Sequence, residues 1–357
     1  MMFSPISCSL SPNTEFSDVW QACTVLFMPW KWMNGDDIDR VEAWFLSSYP
    51  FHVHKTINSG RSALYLILQA FEIGEGDEVI LQSFTCVALP KAVLWAGATP
   101  IYADIDTRYN IDPESILHHI TEKTKAIILQ NTFGIPGQYE KIRQIAKDHR
   151  IILIEDCAHS LGGKYETGET IGSVGDASFF SFGRDKIVSS VFGGVGSINK
   201  KHTNAVSRFI SLHNQLAFPD TRWVVQQIFH PLAFAVILPL YRIGVGKILL
   251  SMLQKISLLS FPVYPEEKEG KRPGDFPKKY PNALASMILP QLEKLERYNA
   301  SRIEIASYYA QVLGKVYSAP GIVPGAVYLR YPILSFKRDE YIKRAKSSGI
   351  ILGNWYS

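Results

Sequence analysis

Between residues 59 and 200, short apolar runs alternate with amphipathic stretches, and no other feature of the chain narrows its fold as much. Helical "SALYLILQAF" is followed by strand-like "EVILQ", helical "ALPKAVLWAG" by "PIYADI", helical "PESILHHI" by "AIILQ", and helical "QYEKIRQIAKDH" by "IILIED". "ASFFSF" and "GGVGSI" complete the series. Strands that are apolar on both faces and separated by helices belong to a parallel sheet covered on both sides, so the fold class is α/β with a mainly parallel sheet in a three-layer large domain. Ligands collect at the carboxyl ends of such strands. Those exits are polar here: "QSFT" at 82–85, "QNTFG" at 130–134, "EDCAH" at 155–159 and "SFGRDK" at 181–186. One pocket is expected to gather them.

The chain has 357 residues and is 46% hydrophobic, enough for one large domain and a smaller companion. The expected division is an N-terminal segment at 1–50, a large domain at 51–265 and a small C-terminal α/β domain at 266–357. A net charge of +4 with no dense Lys/Arg run interleaved with aromatics argues against a nucleic-acid partner. Cys8, Cys23, Cys86 and Cys157 are scattered without metal-ligand spacing, so neither a disulfide framework nor a metal site is expected. The N-terminus lacks a basic region followed by a sustained apolar one, so no secretory signal is read and a cytoplasmic protein is expected.

Past residue 200 the character changes. "WVVQQIFHPLAFAVILPLY" (223–241) carries no formal charge, but Gln226, Gln227, His230, Pro231 and Pro239 argue against a simple membrane span. "IGVGKILLSMLQKISLLSF" (243–261), with Lys247 and Lys255 among leucines and isoleucines, reads either as part of a helical hairpin buried in a dimer or against the small domain, or as an interfacial helix touching a membrane surface. The Pro/Gly-rich "PEEKEGKRPGDFPKKYP" (265–281) reads as a linker. Helical "QLEKLERYNASRIEIASYYAQVL", strand-like "VYLRYPILS" and helical "RDEYIKRAKSSGI" follow.

Three motifs point to chemistry. In "NSGRSALYLIL" (58–68), Ser59 or Ser62 can cap a helix whose first turn suits an anion, although such starts are usually caps alone. "IILIEDCAHS" ends an apolar strand on Asp156, a carboxylate too costly to bury without a cation or strong donors. A helix cap, a core salt bridge and a ligand contact all remain open for it, and His159 alone reads as a satisfied histidine. "SFFSFGRDK" sets Ser181 and Lys186 at another exit. A lysine is usually a surface charge, but one desolvated in a pocket becomes a nucleophilic amine. Pyridoxal 5′-phosphate would need an amine for its aldehyde, an acid for its pyridine nitrogen, an anion site for its phosphate and a group against its ring. Lys186, Asp156, the Gly60-Arg61-Ser62 helix start with Ser181, and His159 could supply them in that order.

These residues resemble the DegT/DnrJ/StrS family of pyridoxal-phosphate sugar aminotransferases, a branch of the aspartate aminotransferase-like fold. The resemblance runs in order through "NSGRSALYLILQAFEIGEGDEVILQSFT", "AGATPIYADID", "NIDPESI", "TKAIILQNTFG", "IEDCAHSLGGKY", "GSVGDASFFSF" and the lysine, over residues 55 to 200. It resumes more loosely over "QLEKLERYNASRIEIASYYAQVL". It implies that Lys186 is the Schiff-base lysine and general base, and that Asp156 partners the pyridine nitrogen. It further implies that His159 contacts the cofactor and that Arg61, Ser62 and Ser181 bind the phosphate.

It also implies an amino-acid donor, most simply glutamate, a nucleotide-linked keto-sugar acceptor, a role in amino-sugar and surface polysaccharide synthesis, and a homodimer with shared active sites. Cys86 stands where members often place an aromatic residue on the cofactor ring. "KKYPNAL" replaces the usual motif by which a neighbouring subunit reaches the cofactor, leaving Tyr280 or Asn282 for that contact. The chain ends at "GIILGNWYS", short of the usual family length, and reads as a fragment or a shortened member. A sugar dehydratase of the same fold would replace the lysine, so Lys186 weighs against it. A non-catalytic scaffold draws support only from Cys86 and the early end.

Overall fold

The computed structural model describes residues 5–261, 263–314 and 319–355. A short strand β1 (Ile6–Ser7) precedes helices α1 (Phe16–Leu26) and α2 (Asp37–Ser48). The alternating region then runs β2 (His52–Ile57), α3 (Gly60–Ala70), β3 (Glu78–Gln82), α4 (Ala88–Trp95), β4 (Thr99–Ala103), α5 (Pro113–His119) and β5 (Thr124–Gln130). It continues with α6 (Tyr139–His149), β6 (Ile152–Asp156), β7 (Ala177–Ser181) and β8 (Gly194–Asn199). Helices α7 (Thr203–Gln215), α8 (Thr221–Ile237), α9 (Val245–Lys255), α10 (Pro265–Lys268), α11 (Asn282–Glu293), α12 (Leu295–Leu313) and α13 (Arg338–Ser347) follow. The last strand, β9 (Ile350–Ile351), pairs in parallel with β1.

Seven strands form the central sheet in the order β2-β8-β7-β6-β5-β3-β4. The five strands from β7 to β4 pair in parallel, as the alternation of strands and helices requires. "GGVGSI" differs: β8 runs antiparallel to both of its neighbours. Successive side chains of a strand face opposite sides, and two buried clusters divide them accordingly. Ile80, Ile127, Leu129, Leu153 and Phe180 enter one cluster with residues of α1, α2, α8 and α11. Val79, Leu81, Ala126, Ile128, Ile154 and Phe179 enter the other with α3, α4 and α7. Each such valine, leucine, isoleucine or phenylalanine withdrawn from water stabilises the fold by roughly 1.5–3 kcal/mol.

Two stretches depart from the sequence reading. "VYLRYPILS" forms no strand among the described residues, apart from a single bridge position at Leu334: Val327 N–H donates to the Gly134 carbonyl at 2.9 Å and Tyr328 adopts a left-handed φ of 46°, so this part of the chain fastens to a loop. The stretch at 265–281 is tied down more firmly than a linker, because Asn58 Nδ2 donates to the Asp275 carbonyl at 2.6 Å and Lys279 bridges to Ile57.

Candidate active site

Strand direction decides which side chains meet. β3, β5, β6 and β7 all end on one edge, and Gln130 sits opposite Asp156 in the register of β5 with β6. A cavity of about 460 Å³ opens at that edge, within the range of small-molecule sites. Asp156, His159, Ser181 and Lys186 line it together with Gly60, Arg61 and Cys86.

Neighbouring carboxylates at the end of β6 take opposite sides. Glu155 turns away and is wholly buried, accepting from the N–H groups of Gly172, Val174 and Gly175 at 2.7, 2.9 and 2.8 Å and from the Tyr165 hydroxyl at 2.8 Å. Burial still pushes its carboxyl above the usual range. Asp156 turns into the cavity with one partner of its own, the Ala158 N–H at 2.9 Å. Burial raises its pKa to about 6, opposed by that N–H and by the charge of Lys186.

His159 is buried and accepts at Nδ1 from the Phe133 N–H at 3.3 Å, which leaves its proton on Nε2. Burial, with Lys186 and Arg330 nearby, holds it far below the ordinary histidine range, so the ring is neutral.

Lys186 lies on a loop clasped from outside. The loop closes on itself through Phe182 N–H to the Gly193 carbonyl at 2.9 Å and Ser190 N–H to the Phe182 carbonyl at 3.1 Å. Asn13 Nδ2 donates to the carbonyls of Lys186 and Ile187 at 2.6 and 3.0 Å. Arg302 of α12 donates to the Ile187 carbonyl at 2.9 Å and to Asn13 Oδ1 at 2.8 Å.

The helix start beside Ser181 requires glycine. A Cβ at Gly60 would lie 3.1 Å from Ser181 Cβ, and one at Gly194 would lie 2.4 Å from the Phe180 carbonyl oxygen. Ser59 is the residue that caps α3, accepting from the Ser62 N–H at 3.1 Å. Ser62, expected at the phosphate, is fully buried behind the cavity lining, and its hydroxyl bonds Asn58 and Ser59 at 2.8 Å each. Arg61 borders the cavity, yet its guanidinium pairs with Glu267 and lies 4.7 Å from the Phe276 ring centre. That pairing draws its charge toward Glu267, and the backbone N–H groups of the helix start are the donors that face an anion at Gly60.

Tyr280 and Asn282 are also corrected as intersubunit contacts, since both are buried within the chain. The Tyr280 hydroxyl meets Ser190 Oγ at 2.6 Å and donates to the Leu284 carbonyl at 3.0 Å. Asn282 accepts from the Asp37 N–H and donates to the Lys31 carbonyl, each at 3.0 Å.

Arg330 was not foreseen. Its guanidinium pairs with Asp185 and lies 4.0 Å from the Trp355 ring centre, the residue borders the cavity, and its Nε is buried without a hydrogen-bond partner. The available signal was a single cation inside the apolar run "VYLRYPILS". Phe234, Leu250 and Gln254 of the α8–α9 hairpin also reach this cavity.

The sequence profile of the DegT/DnrJ/EryC1/StrS aminotransferase family matches residues 18–230. The GDP-perosamine synthase of Escherichia coli O157:H7 is 37% identical over 173 residues, 48% of this chain and 47% of that protein. A UDP-N-acetyl-3-dehydro-alpha-D-glucosamine 3-aminotransferase of Acidithiobacillus ferrooxidans is 45% identical over 125 residues, 35% of this chain and 34% of that protein. The chain thus spans a third to a half of the length of these curated relatives. In fold it is similar to Helicobacter pylori PseC, an aminotransferase of pseudoaminic acid biosynthesis, with a TM-score of 0.71 at 18% identity over 99% of this chain and 84% of that one. It is likewise similar to NtdA of Bacillus subtilis with bound cofactor PMP, with a TM-score of 0.70 at 21% identity over 96% and 69% of the two chains.

Proposed function

Because this chain belongs to the DegT/DnrJ/EryC1/StrS aminotransferase family, we propose that it is a pyridoxal-phosphate-dependent transaminase moving an amino group from an amino acid, glutamate, to a nucleotide-linked keto-sugar. The observation carrying this reading is that Lys186 and Asp156 bound one cavity whose floor is the ends of adjacent strands. A buried carboxylate raised to about 6, with a single N–H of its own, fits a site waiting for a cationic partner such as a protonated pyridine nitrogen. When bound, the cofactor supplies an electron sink conjugated to the amine-bearing carbon of the substrate.

The chain's own groups divide the remaining work. Lys186 would hold the cofactor aldehyde through its amine and, as a free amine, would move the proton at the amine-bearing carbon. Asp156 would keep the pyridine nitrogen protonated. The helix start at Gly60 and Arg61, with the Ser181 hydroxyl beside it, receives the phosphate. His159, neutral and protonated at Nε2, packs against the ring, with Cys86 leaving more of that contact to it. The Arg330 guanidinium, bordering the cavity beside Asp185, would supply positive charge for the carboxylate of the amino donor. The acceptor class is supported by the relatives named for perosamine and amino-glucosamine chemistry. A homodimer sharing its active sites belongs to the same reading, with contacts other than Tyr280 and Asn282.

The visible spectrum of purified protein loaded with pyridoxal phosphate provides the test. A cofactor band that changes on adding glutamate and is absent from Lys186→Ala is expected. Protein that takes up no cofactor would leave the scaffold reading in its place.

A further inference from the structure

The α8–α9 hairpin serves the cavity with one side and leaves an apolar face on the other. Phe234, Leu250 and Gln254 line the space that Lys186 enters. Leu249, Leu250 and Leu253 pack against Phe234, Ile237 and Leu259. On the outward side of α9, Val245, Ile248, Met252 and Ile256 follow at helical spacing and are 49%, 64%, 58% and 65% exposed. Ile243, in the turn before the helix, is 63% exposed. The hairpin is a rigid shelf, because a Cβ at Gly246 would lie 2.2 Å from the Ile237 carbonyl oxygen: the helices meet backbone to backbone.

Within the hairpin's own sequence, bounded by Asp220 and Glu266, the charges are of one sign. From Thr221 to Pro265 there is no Asp or Glu, while Arg222, Arg242, Lys247 and Lys255 are present. Lys247 and Lys255 belong to α9 itself, and both are exposed. The footprint of an 11-residue helix, about 16 Å by 10 Å, falls far short of the roughly 800 Å² per partner of a stable interface, so the stripe by itself would not hold a second copy, and its one-sided charge favours an anionic surface as the occupant. Among the described residues no helix is long and apolar enough to cross a membrane, so the stripe is suited to lying on one.

We propose that α9 docks flat on a bilayer bearing anionic headgroups, with Val245, Ile248, Met252 and Ile256 in the acyl boundary and Lys247 and Lys255 reaching back to the phosphates. Since the other side of α9 is cavity wall, docking sets the Lys186 cavity about one helix diameter, roughly 10 Å, from the bilayer. The inference is independent of the reaction proposed above.

Co-sedimentation with vesicles reads it without reference to turnover. The full chain is expected to bind phosphatidylcholine vesicles containing phosphatidylglycerol and to bind pure phosphatidylcholine much more weakly. Ile248→Glu/Met252→Glu should weaken binding by about tenfold or more, and Lys247→Gln/Lys255→Gln by about fivefold per charge on anionic vesicles only. Unchanged circular dichroism and thermal midpoint in these surface variants confirm that folding is intact. Intact protein left in the supernatant with both vesicle types would overturn the proposal. So would a dimer, seen by light scattering, that Ile248→Glu/Met252→Glu dissociates while vesicles capture nothing.

Discussion

At the carboxyl edge of the sheet, Glu155, Asp156 and His159 are polar groups taken out of water; on the outer face of α9, Val245, Ile248, Met252 and Ile256 are apolar groups left in it. Both regions invert the usual distribution, and they do so differently. At the edge, Glu155 meets four donors whereas Asp156 meets one N–H, so the shortfall is local to the cavity. On α9 the inversion runs along a whole stripe beside a single sign of charge. A local deficit suits a small molecule, and a linear one suits a surface.

The largest expected effect lies at the edge. Lys186→Ala should lower transamination on the order of 10⁴-fold, measured by steady-state kinetics, with little change in the thermal midpoint. Lys186→Arg should not restore it, because a guanidinium stays protonated. If Lys186→Ala keeps its activity, the edge loses its claim to the chemistry.

Glu155→Gln should show the opposite profile. An amide among three backbone donors loses acceptors, costing roughly 3 kcal/mol in denaturant unfolding. Asp156→Asn should instead stabilise the cofactor-free protein at neutral pH by about 2–3 kcal/mol, the equivalent of a pKa moved from 3.8 to about 6. The two substitutions, one residue apart, separate a carboxylate that builds the fold from one held against it.

The pH dependence sharpens this further. Asp156 binds its proton more tightly when folded, so its contribution is full below about pH 4 and is lost as pH rises through about 6. His159 is the reverse. Its folded pKa is depressed, so the unfolded chain takes up the proton first and stability is lost as pH falls below 6.5. Thermal midpoints from pH 4 to 7 should be flatter in the wild type than in Asp156→Asn, where the His159 loss stands unopposed.

The smallest effect divides the two sides of α9. Leu250→Ala, on the cavity side, should raise KM a fewfold, about 1 kcal/mol of contact, and leave vesicle binding unchanged. An equal loss of both would merge the two regions into one site.

Much of the edge was legible from the sequence because solid apolar runs such as "IILIED" can only be buried strands, and their ends must then converge. β2 was not, since "HVHKTI" alternates buried His52 and His54 with less buried positions and lacks an apolar run. The choice between Ser59 and Ser62 as cap was equally closed to sequence, because both lie within reach of a helix start and only the backbone path shows which one points along the first turn. Arg330 arrives at the cavity through a loop fastened to Gly134, a contact between residues nearly two hundred positions apart that no local pattern encodes.

The clasp on the Lys186 loop sets an order of events during synthesis. Its carbonyls wait for Arg302, 115 residues beyond Ile187, while Asn13 has been present since the beginning. At about 5–20 residues per second, that interval lasts several seconds or more. Throughout it the Lys186 loop lacks its Arg302 donor. The cavity is therefore among the last parts of the molecule to mature, and cofactor uptake during refolding should keep pace with the docking of α12 and lag behind the formation of the sheet.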